Sequence, residues 1–199
     1  EDPSKNIKAG AVRQEVVIGG MFNHEILIDV LRNFPIFMQA GEKEIKVICR
    51  YQQYRAVGKM IERLKKGKTW QERSGVIWHT QGSGKSLTMV FLVKKMRTEF
   101  NLRDYKILMV VDRIDLENQL SETADLTDER VNEVSEKKYL LTLQDDTPNL
   151  NLVMIHKFAD KQDESQEALF KRGIVPKYEP LGELNKSQKV LILIDEAHR

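Results

Sequence analysis

Cysteine is nearly absent from this chain. Cys49 stands alone among 199 residues, which excludes an internal disulfide and fits a reducing compartment. A single thiol of this kind reads as a small buried hydrophobe. Long apolar runs are missing too: the stretches at 107–111 and 190–194 reach about a quarter of the roughly 20 residues that span a bilayer. No signal peptide is visible, so the expected setting is cytoplasmic, without membrane contact. Charge of one sign is also scarce. Lys and Arg number 32 against 30 Asp and Glu, a formal net charge of +2, too little to draw nucleic acid in bulk, so any DNA contact must come from local placement of basic residues. Internal repeats and low-complexity tracts are lacking as well.

What is present suffices for a substantial core, since 41% of the residues are hydrophobic and the length suits one domain or a little more. Residues 1–21 are polar and without period, like a linker. A helix is expected over 23–34. Asn23 caps it, Phe22 and Leu27 occupy staple positions, Ile26, Val30 and Phe34 share a face, and Pro35 stops it. Residues 1–45 thus read as a helical connector. From Tyr51, the apolar positions Tyr54, Val57, Met60, Ile61 and Leu64 recur every three to four residues until Gly67, which predicts an amphipathic helix.

Beyond it, short apolar runs alternate with helical patterns: strand 75–78, a helix from Lys85 to about 98, strand 106–111, a helix from about Leu116, a helical stretch near 136–143, strand 151–155 and strand 190–194. Runs apolar at consecutive positions are buried on both faces, which marks a parallel sheet covered by helices, and the fold class is α/β. Two stretches, 121–135 and 159–189, are polar and charge-rich, the second too long for an ordinary connection.

Two motifs carry the chemistry. Thr80-Gln81-Gly82-Ser83-Gly84-Lys85-Ser86 lies between an expected strand and an expected helix. Gly82 and Gly84 let backbone amides approach a polyphosphate unobstructed by Cβ atoms. The helix adds the amides and dipole of its first turn, Lys85 reaches the terminal phosphates, and the Ser86 hydroxyl ligates the Mg2+ that accompanies ATP. A helix end contributes only about 0.3 to 2 kcal/mol, while micromolar binding needs roughly 8 kcal/mol, so all these parts are required. The strict phosphate-loop pattern opens with Gly where this chain has His79, which reads as a structural turn residue rather than a catalytic base.

The second motif is Asp195-Glu196-Ala197-His198, directly after the apolar run at 190–194. Asp195 therefore stands at the carboxyl end of a buried strand, where open α/β sheets bind ligands. It suits Mg2+, and Glu196 suits orienting and deprotonating an attacking water. An Asp-Glu pair alone is common. Its meaning comes from the apolar run before it and the glycine loop upstream.

With its acidic box the chain resembles the first motor domain of superfamily two helicases and translocases. Trp78 through Ser86, Val111-Asp112-Arg113-Ile114-Asp115-Leu116 with Gln119, Ile155-His156-Lys157-Phe158, and Arg50-Tyr51-Gln52-Gln53-Tyr54-Arg55-Ala56 together resemble the motor subunit of type I restriction enzymes. The resemblance covers about 50–199. It implies a three-layer, recombinase-like P-loop NTPase sheet, an incomplete first helicase-type lobe over 46–199, an upstream nuclease domain, and ATP-driven translocation on double-stranded DNA with specificity and methyltransferase subunits. It further implies that Gln53 contacts adenine, with Gln52 the competing choice, and that Thr80, Gln81, Gly82, Ser83, Gly84, Lys85 and Ser86 hold the nucleotide. Lys85, Asp195 and Glu196 are then catalytic, Ser86 and Asp195 serve the metal, and His198 couples the ATP site to the DNA. Arg113, Gln119 and Lys157 fall in motifs that track the nucleic-acid backbone or brace the lobe.

The resemblance also has gaps. The later motifs, the second lobe and its arginine fingers lie outside this sequence, and a missing finger costs roughly 10³ to 10⁵ in rate, so binding with little turnover is expected. In related motors a strand following the acidic box sits between the phosphate-loop strand and the acidic-box strand. Without it a gap or two unpaired edges are expected in a truncated sheet. Residues 1–45 show no nuclease constellation. Another helicase of the superfamily, or a nucleotide-dependent interaction module, remains an alternative reading.

Overall fold

The computed structural model describes residues 15, 18–20, 22–40, 43–80, 82–111, 131–134, 143–154 and 184–195. They fall into two compact units, Glu1–Leu102 and Arg103–Arg199.

In the first unit, α1 (His24–Asn33) starts where expected: the Asn23 Oδ1 accepts from the amides of Glu25 (3.1 Å) and Ile26 (3.4 Å) and satisfies donors that no helical carbonyl reaches. Pro35 does more than stop it. It opens β1 (Pro35–Ala40), which pairs antiparallel with β2 (Lys43–Ile48) in the register Pro35↔Ile48 to Ala40↔Lys43. Residues 24–48 are thus a helix followed by a hairpin, an element the helical reading of this stretch does not contain. Proline is tolerated at the first residue of an edge strand because no ladder bond needs its missing N–H.

The predicted amphipathic helix is α2 (Tyr51–Lys66), with Gln53, Val57, Ile61 and Leu64 buried on one face. Gly67 follows it, and a Cβ there would lie 2.7 Å from the Arg73 Cγ and 3.0 Å from the Arg73 amide of the short helix α3 (Trp70–Arg73). The helix after the phosphate loop is α4 (Lys85–Thr98). It buries Thr88, Val90, Phe91, Leu92, Val93 and Met96, which is more than one stripe and marks an interior helix. Phe34 at the end of α1 packs between its neighbours, with ring centroids 5.1 Å from Tyr54 and 5.6 Å from Phe91. Polar ties lock the same three helices: the Asp29 carboxylate accepts from Lys95 (2.6 Å), Asn33 (2.5 Å) and the Tyr54 hydroxyl (3.1 Å). Burial pushes the Asp29 carboxyl up, but these hydrogen bonds and the Lys95 charge outweigh it and hold it below its ordinary value. Cys49 is buried as expected, and burial together with the Asp29 charge pushes its thiol up to about 12, so it is inert.

One predicted element of this unit is absent. Residues 75–78 form no strand, and Val76 and Trp78 are 95% and 84% exposed. Apolar sequence sets strand propensity, but a strand needs a ladder partner, and no described strand pairs with this one.

The second unit is a four-stranded sheet in the order β4-β5-β3-β6, formed by β3 (Lys106–Val111), β4 (Val131–Val134), β5 (Leu150–Met154) and β6 (Val190–Ile194). All of its pairings are parallel, as the doubly buried apolar runs imply. β4 lies within a stretch whose composition reads as polar connection. The helix expected from Leu116, all but the last residue of the helical stretch expected near 136–143, and most of 159–189 lie outside the described residues. β3 is the centre, with Ile107, Met109 and Val111 buried. At its start Lys106 is buried and reaches out to the Asp145 carboxylate at 2.6 Å, a charge kept inside by pairing. After β3 the chain moves to one side for β4 and β5, then returns to the other side of β3 for β6. That reversal makes the β3–β6 boundary a switch point, whose carboxyl-end crevice is where such sheets bind ligands.

Candidate functional site

The phosphate loop is built as a turn into a helix. The Ser83 amide donates to the Thr80 carbonyl at 3.1 Å, Gly82 and Gly84 hold φ of +75° and +85°, and Gly84 is the N-cap of α4. Left-handed backbone at both positions is what glycine permits cheaply and other residues do not. The first amides of α4, like those of any helix, have no intrahelical acceptor, and they sit at the positive end of its dipole. Lys85 and Ser86, half-buried, occupy that first turn. Gln81 lies outside the described residues.

Gln53 ties the loop to α2. Its Oε1 accepts from the Arg50 amide at 2.8 Å, and its Nε2 donates to the Gly84 carbonyl at 3.0 Å. The same carbonyl also accepts from the amide and hydroxyl of Thr88, each at 3.0 Å. The approach is close enough that a Cβ on Gly84 would lie 2.7 Å from the Gln53 Nε2. The second glycine therefore answers two demands, its φ and the glutamine against it. Gly82 answers only the first, since nothing lies within 4 Å of the position a Cβ would take.

Beside this loop lies a cavity of about 300 Å³, lined by Arg50, Gln52, Gln53, Trp78, His79, Thr80 and Ser83. Its size suits a small organic ligand. Two polar atoms of these lining residues, the His79 Nδ1 and the Ser83 Oγ, are shielded from solvent and have no hydrogen-bond partner among the described residues. The structure thus brings together Gln53, Thr80, Ser83 and Gly84 of the expected nucleotide set, with Lys85 and Ser86 following in sequence. It adds Arg50, Trp78 and His79 to the lining. An aromatic residue and a histidine immediately before a phosphate loop are visible in the sequence, but their exposure and orientation are not.

In the second unit Asp195 follows β6 with only 7% of its surface exposed, and its amide donates to the Val110 carbonyl at 2.9 Å. It stands at the carboxyl end of β6 beside the end of β3, at the switch point. Glu196 and His198, and likewise Arg113, Gln119 and Lys157, lie outside the described residues.

A glycine-shaped anion loop at the start of a buried helix, together with a parallel sheet whose switch point ends in an aspartate, defines the class of phosphate-loop nucleotide-binding α/β proteins. Comparison with known sequences narrows this: the sequence model of the SWI2/SNF2 ATPase matches residues 52–199. The chain belongs to that family. Among curated proteins it is 31% identical over 195 residues to the type I restriction enzyme HindI endonuclease subunit of Haemophilus influenzae, covering 92% of this chain and 17% of that protein. It is 33% identical over 208 residues to a putative type I restriction enzyme MjaVIIIP endonuclease subunit of Methanocaldococcus jannaschii, covering 94% of this chain and 19% of the relative. To the C-terminal part of a putative type I restriction enzyme MpnIIP endonuclease subunit, from Mycoplasma pneumoniae, it is 29% identical, with 89% of this chain and 82% of that protein covered. The chain spans 17% and 19% of the length of the first two relatives.

The phosphate loop of the first unit fits the phosphates of a nucleotide: the positive φ of Gly82 and Gly84 opens its backbone to phosphate, and the Ser86 hydroxyl in the first turn of α4 is a hard oxygen donor of the kind Mg2+ prefers. Among the described residues no group of His, Cys, Asp and Glu forms a separate metal cluster, and no helix is long and apolar enough to cross a membrane.

Proposed function

We propose that this chain is the ATP-binding part of the motor of a type I restriction subunit, in which ATP hydrolysis drives translocation along double-stranded DNA before cleavage. In this reading residues 46–199 belong to the first motor lobe and residues 1–45 connect it to an upstream nuclease domain. Specificity and methyltransferase subunits are its partners. The observation that carries the nucleotide half is the loop from Thr80 to Ser86, with its two left-handed glycines beside a cavity of about 300 Å³. Similarity to endonuclease subunits over nearly the whole chain supports the restriction half.

The roles at the phosphate loop and the acidic pair rest on chemistry, and those of Arg113, Gln119 and Lys157 on the family resemblance. Residues 80–86 hold the phosphates, with Lys85 on the terminal ones, where charge develops during transfer. Ser86 and Asp195 hold Mg2+, which neutralises phosphate charge when bound. Glu196 orients the attacking water and takes its proton. Arg113, Gln119 and Lys157 track the DNA backbone or brace the lobe. In an equilibrium titration, binding of ATP should require Mg2+ and should be lost in Lys85→Ala; unchanged affinity in that variant overturns the phosphate-loop assignment. Displacement of a DNA-bound triplex by the intact subunit with its partners tests translocation, and failure at saturating ATP counts against it.

A further inference from the structure

The near-neutral total hides a local imbalance of charge. Residues 50–73 hold eight Lys and Arg against two Glu, a net charge of +6, and because the whole chain carries +2 the remainder is net −4. The placement follows the helix period. Gln53, Val57, Ile61 and Leu64 are buried on one face of α2, which puts Arg55, Lys59, Glu62 and Lys66, spaced i, i+4, i+7 and i+11, along the opposite face, and all four are exposed. The row is about 16 Å long at a rise of about 1.5 Å per residue. Its one acid, Glu62, pairs with Lys66 at 2.6 Å, but an exposed pair of this spacing holds weakly. At the C-terminal end of the row the chain turns through Lys68 into α3, where Trp70 stands 75% exposed. The turn is braced. The Arg63 Nε donates to the Ser74 carbonyl at 2.6 Å and the Arg73 Nε to the Gly67 carbonyl at 2.9 Å, which ties α3 back onto the end of α2. The Thr69 Oγ1 caps α3 by accepting from the Glu72 amide at 3.2 Å. A large flat aromatic face is thus held in water beside a row of cations.

We infer that the outer face of α2 and the α3 turn bind a single strand of nucleic acid, the cations following its phosphates and the Trp70 indole stacking on one of its bases. The basic row answers a ligand whose negative charge repeats along a line. An acidic protein could satisfy the charges alone. The exposed indole favours nucleic acid, and a single strand of it, because an unpaired base offers its π-face while a paired one keeps that face within its own stack. The surface goes beyond the reading above, in which the DNA contacts are Arg113, Gln119 and Lys157 of the other unit, and it needs no nucleotide. Phosphate contacts by Arg55, Lys59, Lys66 and Lys68 would release counterions, with a slope of log affinity against log salt of about −0.7 for each contact to a single strand.

The test is fluorescence anisotropy of the full chain, without nucleotide, on a labelled oligothymidylate of about 20 nucleotides, longer than the usual single-strand site. A duplex of the same length and polyglutamate serve as competing ligands. The parent should bind the single strand with a salt slope of about −3, and should prefer it to the duplex by about fivefold or more. Lys59→Ala combined with Lys68→Ala should make the slope shallower by about 1.4, while Lys59→Arg combined with Lys68→Arg should keep it. Trp70→Ala should weaken binding about fivefold or more at an unchanged slope, and Trp70→Phe should recover most of the loss. Intrinsic fluorescence gives a readout independent of affinity: the chain has two tryptophans, and unlabelled oligothymidylate should quench emission in Trp78→Phe but not in Trp70→Phe. Saturating Mg2+ and ATP at constant ionic strength should leave the strand bound; displacement would place the strand in the phosphate loop and overturn the proposal. It is also overturned if the duplex or polyglutamate binds as tightly as the single strand, or if the lysine and tryptophan variants bind like the parent. Neither failure touches the phosphate loop, which the Lys85→Ala titration with ATP judges separately.

Discussion

At the scale of single residues, Gly82 and Gly84 make a natural pair of experiments. Both have positive φ, so alanine at either carries a backbone cost of about 1 to 2 kcal/mol. Only at Gly84 does the new Cβ also meet the Gln53 Nε2, at 2.7 Å. Gly84→Ala should therefore lower stability by more than Gly82→Ala in urea unfolding, and the difference should shrink in a Gln53→Ala background. Asp29 carries a different prediction. Its carboxyl is held below its ordinary value, so the folded state binds its proton less readily than the unfolded chain does. The stability it supplies is present above the unfolded value of 3.8 and is lost as pH falls through the lower folded value. Asp29→Asn removes the charge that Lys95 faces at 2.6 Å, and should cost about 1 to 3 kcal/mol at neutral pH. At pH 3 the parent and the variant should differ less. An equal difference at both pH values would show that the carboxylate's charge is not what matters.

At the scale of elements, α2, α4, β3 and β6 were legible because their signals are local: amphipathic period and Gly67 for α2, glycines followed by apolar sequence for α4, and unbroken apolar runs for the two strands. Asn23 announces the start of α1 by the same local logic. What was not legible depends on partners. Pro35 reads as a stop, but whether a strand follows depends on β2 lying opposite. β4 is Val-Asn-Glu-Val, too polar to announce itself, and it is a strand because β5 pairs with it. Residues 75–78 show the reverse case, an apolar run without a ladder. Among the described residues β6 lies at one end of the sheet, with Ile192 and Ile194 54% and 55% exposed. Exposed apolar side chains on an edge strand are an association hazard. Ile192→Lys should reduce self-association in sedimentation velocity while changing the unfolding free energy by no more than about 0.5 kcal/mol. Unchanged association would show that the β6 edge is not the contact.

At the scale of the whole molecule, the two units carry different parts of the proposed chemistry. The loop, the cavity and Gln53 belong to Glu1–Leu102, and Asp195 at the sheet's switch point belongs to Arg103–Arg199. Glycines and apolar runs made both groups legible in the sequence, whereas Gln53 was joined to Thr80 and Ser83 only through the family resemblance and Arg50, Trp78 and His79 were not placed in the cavity's lining, because it joins residues near 50 to residues near 80. Binding and turnover should accordingly separate by mutation. Most of the nucleotide's contacts in the proposal come from the first unit, so Glu196→Gln in the intact motor subunit, which leaves Ser86 and Asp195 to hold Mg2+, should leave ATP affinity within about threefold while lowering the hydrolysis rate by roughly 10² to 10⁴, the range expected when a group acting mainly in the transition state is removed. Lys85→Ala should instead abolish binding itself. A loss of affinity in Glu196→Gln as large as that in Lys85→Ala would mean that this carboxylate is part of the ground-state nucleotide site, and its role as the base would fall.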